Sequence, residues 1–253
     1  MKNAVTITDL SVAFGGRPAL RRVSASFPAS GISVLVGRSG SGKTTLLRAV
    51  NRLNEEFADC VTEGQVLLDL GNGPLPVYPA GEGAEGAFSL PELRRGAGML
   101  FQTPSLFPVS VYRNLSLPLT VVAGRTEKEL PGIVEEALVA VGLWDEVRDR
   151  LHQPASRLSG GQQQRLCLAR TLALEPSVLL LDEPTASLDV HAARDIEALL
   201  LRLANRYPVI MVSHSLGQAR RMGGRVIVME RGAVTARLTA EEAVSEELLE
   251  RLL

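Results

Sequence analysis

Cysteine is scarce in this chain. Among 253 residues there are two, Cys60 and Cys167, which form neither a disulfide framework nor a metal-type pair. Cys167 falls in an apolar helical stretch and reads as a small core residue. Long hydrophobic runs are missing too, and none approaches the roughly 20 residues needed to cross a bilayer. The opening segment, Met1-Lys2-Asn3-Ala4-Val5-Thr6, lacks the long apolar stretch of a secretory leader. Nor is there a surplus of charge: 27 Lys and Arg face 28 Asp and Glu, which offers no basic stripe for nucleic acid. No internal repeat is found, so one module is expected and not a tandem pair. What is present is an apolar fraction of 45% in a chain long enough to bury a substantial core. The expectation is a cytosolic globular protein with no nucleic-acid partner.

The most informative stretch is Gly37-Arg38-Ser39-Gly40-Ser41-Gly42-Lys43-Thr44. It follows the apolar run Ile32–Val36 and precedes a helix expected from Lys43 through Leu53. A buried strand, a glycine-rich turn and a helix in this order make a phosphate-binding loop. Gly40 and Gly42 let successive N–H groups point inward as an anion nest, and the helix N-terminus adds its positive dipole end. Lys43 is suited to the β- and γ-phosphates and the Thr44 hydroxyl to Mg²⁺. Gly37, Ser39, Ser41 and Thr45 complete the expected nucleotide-binding set. A flexible Gly/Ser turn can mimic the pattern, but the flanking elements argue against it. The chain is expected to bind a nucleoside triphosphate.

Residues 4–8, 23–27, 32–36 and 64–70 read as strands. Residues 71–91, rich in Gly and Pro, read as an exposed irregular loop without chemistry. From 104 to 173 the pattern is helical, with Ile133, Val134, Ala137, Leu138 and Val141 at helical spacing. Residues 178–181 and 209–212 are short, almost wholly apolar runs of the kind found in parallel strands covered on both faces. Ile196, Leu199, Leu200 and Leu203 mark a crossover helix between them. The expected fold class is therefore α/β: a mainly parallel sheet in one domain spanning 1–253, with core segments 1–103 and 174–253 and a helical subdomain, 104–173, inserted between them.

Open parallel sheets bind ligands at the carboxyl ends of their strands. Asp182 and Glu183 stand just past one apolar run. Asp182 is suited to hold Mg²⁺, directly or through water, and Glu183 to polarise the water that attacks the γ-phosphate. Gln102 ends another strand, where its amide is able to touch the metal or its water; a lone Gln there is ordinarily polar surface, so this role depends on the others. His214 ends a fourth strand, where a histidine can hydrogen-bond the γ-phosphate and orient the water. Leu158-Ser159-Gly160-Gly161-Gln162 is a second anion site, with Ser159 as N-cap and two glycines exposing the N–H groups of the following helix. It lies far in sequence from the phosphate loop. Two anion sites and one triphosphate per chain suggest that the second serves a neighbouring copy.

These motifs, in this order and with Ser187-Leu188-Asp189, resemble the ATP-binding subunits of ABC transporters over nearly the whole length. The resemblance implies an N-terminal antiparallel β subdomain, ATP and Mg²⁺ as cofactors, and a head-to-tail homodimer. ATP would lie between one copy's phosphate loop and the other's Ser159-Gly160-Gly161-Gln162. It assigns Asp189 to the loop linking the two sites across the dimer. Phe14 takes the place of the aromatic that stacks on adenine, the other reading being a strand-end core residue. Integral membrane permeases become the implied partners, docking near 102–120 with Phe101, Phe107 and Tyr112 at the contact or packed in the lobe itself. A solute-binding protein is implied indirectly, and the location is peripheral, on the cytoplasmic face of the membrane.

A narrower resemblance, to bacterial phosphate-importer ATPases, rests on residues 48–54, 101–115, 143–152 and 158–167. Arg38 and Ser41 replace the Pro and Cys common in that family. An ATPase for another solute, such as an amino acid or other anion, or a non-transport ATPase of the same fold, is the alternative. A GTP switch is disfavoured because no Asn-Lys-x-Asp element is found. A structural subunit without turnover is disfavoured by the presence of Glu183 and His214.

Overall fold

The computed structural model describes residues 2–78, 88–239 and 241–242. The chain begins with a long antiparallel hairpin, β1 (Asn3–Phe14) and β2 (Arg17–Pro28). Both strands extend well beyond the spans the sequence suggested. The reason is a break in register between Ile7 and Leu10, where Asp9 takes a left-handed φ of 47°. Such a bulge throws the inside–outside alternation out of phase, so a strict period-2 reading stops there. Next come β3 (Ile32–Val36) and α1 (Lys43–Ala49). The helix stops short of Leu53: Arg52 turns left-handed at φ 58°, and the Asn54 amide donates to Thr45 O at 2.8 Å. A 3-10 turn, Leu53–Glu56, follows.

The chain then forms β4 (Cys60–Asp69), β5 (Pro74–Pro76), α2 (Leu90–Gly96) and β6 (Ala97–Leu100). The stretch read as an irregular loop over 71–91 thus contains an edge strand paired with β4, where prolines are tolerated because an edge needs fewer ladder donors. Ser89 at its far end starts α2 through a capping box with Glu92. The middle of that stretch, 79–87, lies outside the described residues. Four helices intervene before the next strand: α3 (Val111–Val121), α4 (Leu130–Ala140), α5 (Trp144–Val147) and α6 (Gly160–Leu172). The chain ends its described course with β7 (Val178–Asp182), α7 (Val190–Leu203), β8 (Val209–Ser213), α8 (Leu216–Met222), β9 (Arg225–Glu230) and β10 (Ala233–Leu238).

Two sheets result. One is four-stranded and antiparallel, in the order β2-β1-β4-β5. The other is six-stranded, in the order β10-β9-β3-β8-β7-β6. It is parallel from β9 to β6 and closed at one edge by antiparallel β10. All five residues of β3, β7 and β8 are buried, as an interior strand covered on both faces requires. Alternation along them divides the core. Val34, Val36, Leu179, Leu181 and Met211 pack with the helical lobe, α7 and α8, while Leu35, Leu180, Ile210 and Val212 pack with α1 and the antiparallel sheet. The α/β architecture anticipated from the sequence is present, with helices between β6 and β7 and every parallel strand directed toward one edge, where the polar residues collect.

Candidate functional site

Local backbone geometry builds the phosphate loop. Gly37 sits at φ 152°, and a Cβ there would stand 2.2 Å from Met229 O. Gly42, at φ 100°, is pressed against β2: an added Cβ would meet Leu20 Cδ2 at 2.8 Å and Ala19 O at 2.9 Å. Only glycine combines that conformation with so close an approach. The loop is therefore braced from below by β9 and from the side by β2. Ser41 O also accepts the Gly232 N–H at 3.0 Å, tying in the turn between β9 and β10.

From this loop Lys43 folds back, its Nζ donating to Gly37 O at 2.8 Å and Arg38 O at 2.9 Å. The residue is 4% exposed. Burial pulls its pKa below the ordinary lysine value, and the nearby carboxylates of Glu183 and Asp182 oppose that fall. Thr44 Oγ1 donates to Asp182 Oδ1 at 2.8 Å, joining the start of α1 to the end of β7. Glu183 is buried with a left-handed φ of 48°, uncommon for a residue with a side chain and costly by about 1–2 kcal/mol. Its turn is closed by the Ala186 N–H donating to Glu183 O at 3.1 Å. His214 Nε2 lies in direct contact with Glu183 Oε1.

The loop and strand ends enclose a cleft of about 390 Å³ lined by Ser39–Thr45, Ala19, Gln102, Glu183 and His214. Asp182 reaches it through Thr44, and Gly37 lies beneath it. Ala19 lines the cleft without belonging to any recognisable motif of the chain. The Ser41 hydroxyl is buried without a hydrogen-bond partner, close against Gly37.

The remaining anticipated residues stand apart from this cleft. Ser159 caps α6 in a reciprocal box: its N–H donates to Gln162 Oε1 at 3.0 Å, and its Oγ accepts the Gln162 N–H at 3.3 Å. Gln162 is held in turn by Glu146 at 2.6 Å, as is Arg165 at 2.7 Å. Ser159 and Gly160 are exposed, with Gly161 half-buried. Asp189 caps α7, its Oδ1 accepting from His191 N at 2.9 Å and Ala192 N at 3.0 Å; those bonds hold its pKa below the usual aspartate range. Phe14 packs edge-to-face with Phe57 at 5.5 Å between ring centroids, a contact that the strand-end reading explains.

One further connection links the lobe to the cleft. Arg170 of α6 donates to Ser105 O at 2.6 Å and Asn114 Oδ1 at 3.4 Å, and its guanidinium lies 4.6 Å from the Phe107 ring centroid. Gln164, also on α6, donates to Phe101 O at 3.2 Å. The segment leaving Gln102 is thereby fastened to the helix that Ser159 begins.

A family model described as ABC transporter matches residues 20–186. The chain is 45% identical over 217 residues to the phosphate import ATP-binding protein PstB of Mycobacterium intracellulare, covering 86% of this chain and 72% of that one. It is 41% identical over 223 residues to phosphate import ATP-binding protein PstB 2 of Bacillus subtilis, covering 88% and 79%. Among solved structures, cbiO1 from Clostridium perfringens, part of the cbiONQ transporter complex, superposes with a TM-score of 0.80 at 26% identity, over 99% of this chain and 94% of that one. A dimeric ATP-binding cassette in a post-hydrolysis state, bound to ADP and Pi, superposes with a TM-score of 0.73 at 27% identity, over 93% and 98%.

Proposed function

The chain belongs to the ABC transporter family of ATPases, and from that premise we propose that it powers inorganic phosphate import from the cytoplasmic face of the membrane. The observation that carries the enzymatic half is the convergence of Lys43, Thr44, Gln102, Glu183 and His214 on one cleft, drawn from four strand ends. The cargo rests on the relatives' identity over most of the chain.

ATP enters as substrate. Lys43 has three N–H donors, and the two bonds to loop carbonyls leave the third for a phosphate oxygen. The oxygen-only pair Thr44 and Asp182 fits Mg²⁺, a hard cation that keeps waters and substrate phosphates as its other ligands; Gln102 stands on the same rim. The metal, when bound, neutralises charge on the β- and γ-phosphates. Glu183 accepts hydrogen bonding from the attacking water, and His214, in contact with it, keeps that water and the γ-phosphate in line. Phe14, half-buried beside Phe57, would stack on adenine.

Ser159 and Gly160 are exposed and the Ser159–Gln162 cap lies outside the cleft, which supports its use by a second copy in a head-to-tail dimer closed by ATP. A groove of about 620 Å³ on the helical lobe, lined by Tyr112, Arg113, Leu117, Val121 and His152 among others, supports docking of a membrane permease next to the Gln102 segment. Phe101 and Phe107 are partly exposed, although Phe107 is also stacked by Arg170. A solute-binding protein would engage the permeases and not this chain.

Uptake of radiolabelled phosphate into cells depleted of this chain tests the reading. Wild type should restore uptake and Glu183→Gln should not. Normal phosphate uptake without the chain, together with loss of another solute's uptake, would replace the cargo and leave the ATPase reading in place.

A further inference from the structure

Behind Glu183 and His214 lies a buried polar cluster that no step above uses. Gln218 of α8 is 6% exposed, and its side-chain amide is fully engaged. Oε1 accepts from Ser213 Oγ at 2.6 Å, while Nε2 donates to Thr185 Oγ1 at 2.7 Å and to Glu197 Oε1 at 3.0 Å. Its backbone N–H donates to Ser215 Oγ at 3.2 Å. The amide's orientation is dictated by chemistry: an ionised carboxylate only accepts, so nitrogen must face Glu197 and oxygen is left for the serine hydroxyl. Glu197 is itself fixed by Arg221, whose Nε and Nη2 meet its two oxygens at 2.8 Å each, a bidentate pairing with defined direction.

The partners of Gln218 are the informative part. Ser213 and Ser215 flank His214, and the Ser215 N–H donates to Ser213 Oγ at 3.0 Å. Thr185 lies two residues after Glu183, inside the turn that the Ala186 N–H closes on Glu183 O. Glu197 sits on α7, the helix that Asp189 caps. Together with Glu183 and His214 these groups line a cavity of about 200 Å³. A helix such as α8 needs only apolar contacts to pack on a sheet, and Ala219 and Met222 supply them. Three of the four polar links of Gln218 instead end on residues next to the reacting pair (Ser213, Ser215 and Thr185), and the fourth ends on Glu197 of α7.

Resting on the reading of Glu183 and His214 as the hydrolytic pair, we propose that Gln218 is a positioning residue for ATP hydrolysis. It bolts the His214 strand end to the Glu183 loop and takes its own orientation from Glu197 and Arg221. Displacement of reacting groups by about 1 Å can cost roughly 10²-fold in rate, so this bolt acts on turnover more than on substrate affinity.

The test is steady-state ATP hydrolysis by the full chain with Mg²⁺, comparing wild type, Gln218→Met, Thr185→Val, their double variant and Glu183→Gln. Gln218→Met keeps the volume and removes the links. It should lower kcat about tenfold or more with KM nearly unchanged. Thr185→Val should lower kcat less, and the double variant should be no slower than Gln218→Met, because linked residues are non-additive. A folded Gln218→Met with wild-type kcat would overturn the proposal, as would independent multiplication of the two single effects. If Gln218→Met fails to fold, Thr185→Val decides alone: unchanged kcat refutes the bolt. Wild-type turnover by Glu183→Gln would instead refute the underlying site, a separable result.

Discussion

Thr44 and Asp182 are 138 residues apart in the chain and joined by a 2.8 Å hydrogen bond from hydroxyl to carboxylate. The bond spans from the first turn of α1 to the last residue of β7, so two sequence motifs become one oxygen-rich corner. A carboxylate that accepts from a threonine hydroxyl is held in one rotamer, with its second oxygen available to a cation or its water.

Asp182→Asn follows from that corner. The amide preserves shape but removes the negative charge, so the Mg²⁺ concentration giving half-maximal hydrolysis should rise by about tenfold or more, as a lost charge-assisted contact of about 1.5–3 kcal/mol requires. Titrating hydrolysis against free Mg²⁺ measures this. Chelation by EDTA should stop wild-type turnover and leave fold intact by circular dichroism. An unchanged Mg²⁺ midpoint in the variant would remove Asp182 from the metal site.

Glu183→Gln separates binding from chemistry. Loss of general-base assistance typically lowers rate about 10²–10⁴-fold, while Lys43 and Thr44 still hold ATP. Light scattering should then show a dimer that forms with ATP and persists. Hydrolysis near the wild-type rate would exclude Glu183 from the step.

Ser159→Arg places a bulky cation at the exposed cap of α6. Loss of an N-cap costs about 1 kcal/mol, which lowers the melting temperature of a chain this size by about 2–4 °C. Activity should be abolished, whereas ATP binding by the monomer, read by equilibrium titration, should match wild type. Loss of monomer binding would contradict use of this cap in trans.

The Glu197–Arg221 pair predicts a pH dependence with a definite sign. The hydrogen bonds from Arg221 hold the Glu197 pKa below the ordinary glutamate value of 4.5, so the folded state binds the proton less readily than the unfolded state. The resulting stabilisation is complete above 4.5 and fades as pH falls through the depressed folded value. The melting-temperature gap between wild type and Glu197→Gln should be widest at neutral pH and narrow in acid. A gap that widened on acidification would contradict the assigned pairing.

Much of this molecule was legible in the chain because its motifs are local. A phosphate loop needs contiguous glycines, a lysine and a threonine, and residues 37–44 supply them beside a strand and a helix. Strands β3, β7 and β8 announced themselves as short, nearly unbroken apolar runs. Harder to read were features set by distant partners. The bulge at Asp9 hid the true length of β1, and the left-handed Arg52 ended α1 early. Prolines 74 and 76 disguised an edge strand. Gln218 offered no signal at all, because its meaning lies in Ser213, Thr185 and Glu197 brought together by folding. Ala19 was invisible because it belongs to no motif: it lines the cleft, and its backbone carbonyl is what lies close to Gly42 and Gly232.

Arg170 carries a mechanical implication. By grasping Ser105, Asn114 and Phe107 at once, it removes any slack between α6 and the strip of chain beyond Gln102. That strip cannot rearrange relative to the helix capped by Ser159 without giving up these three contacts of a single side chain.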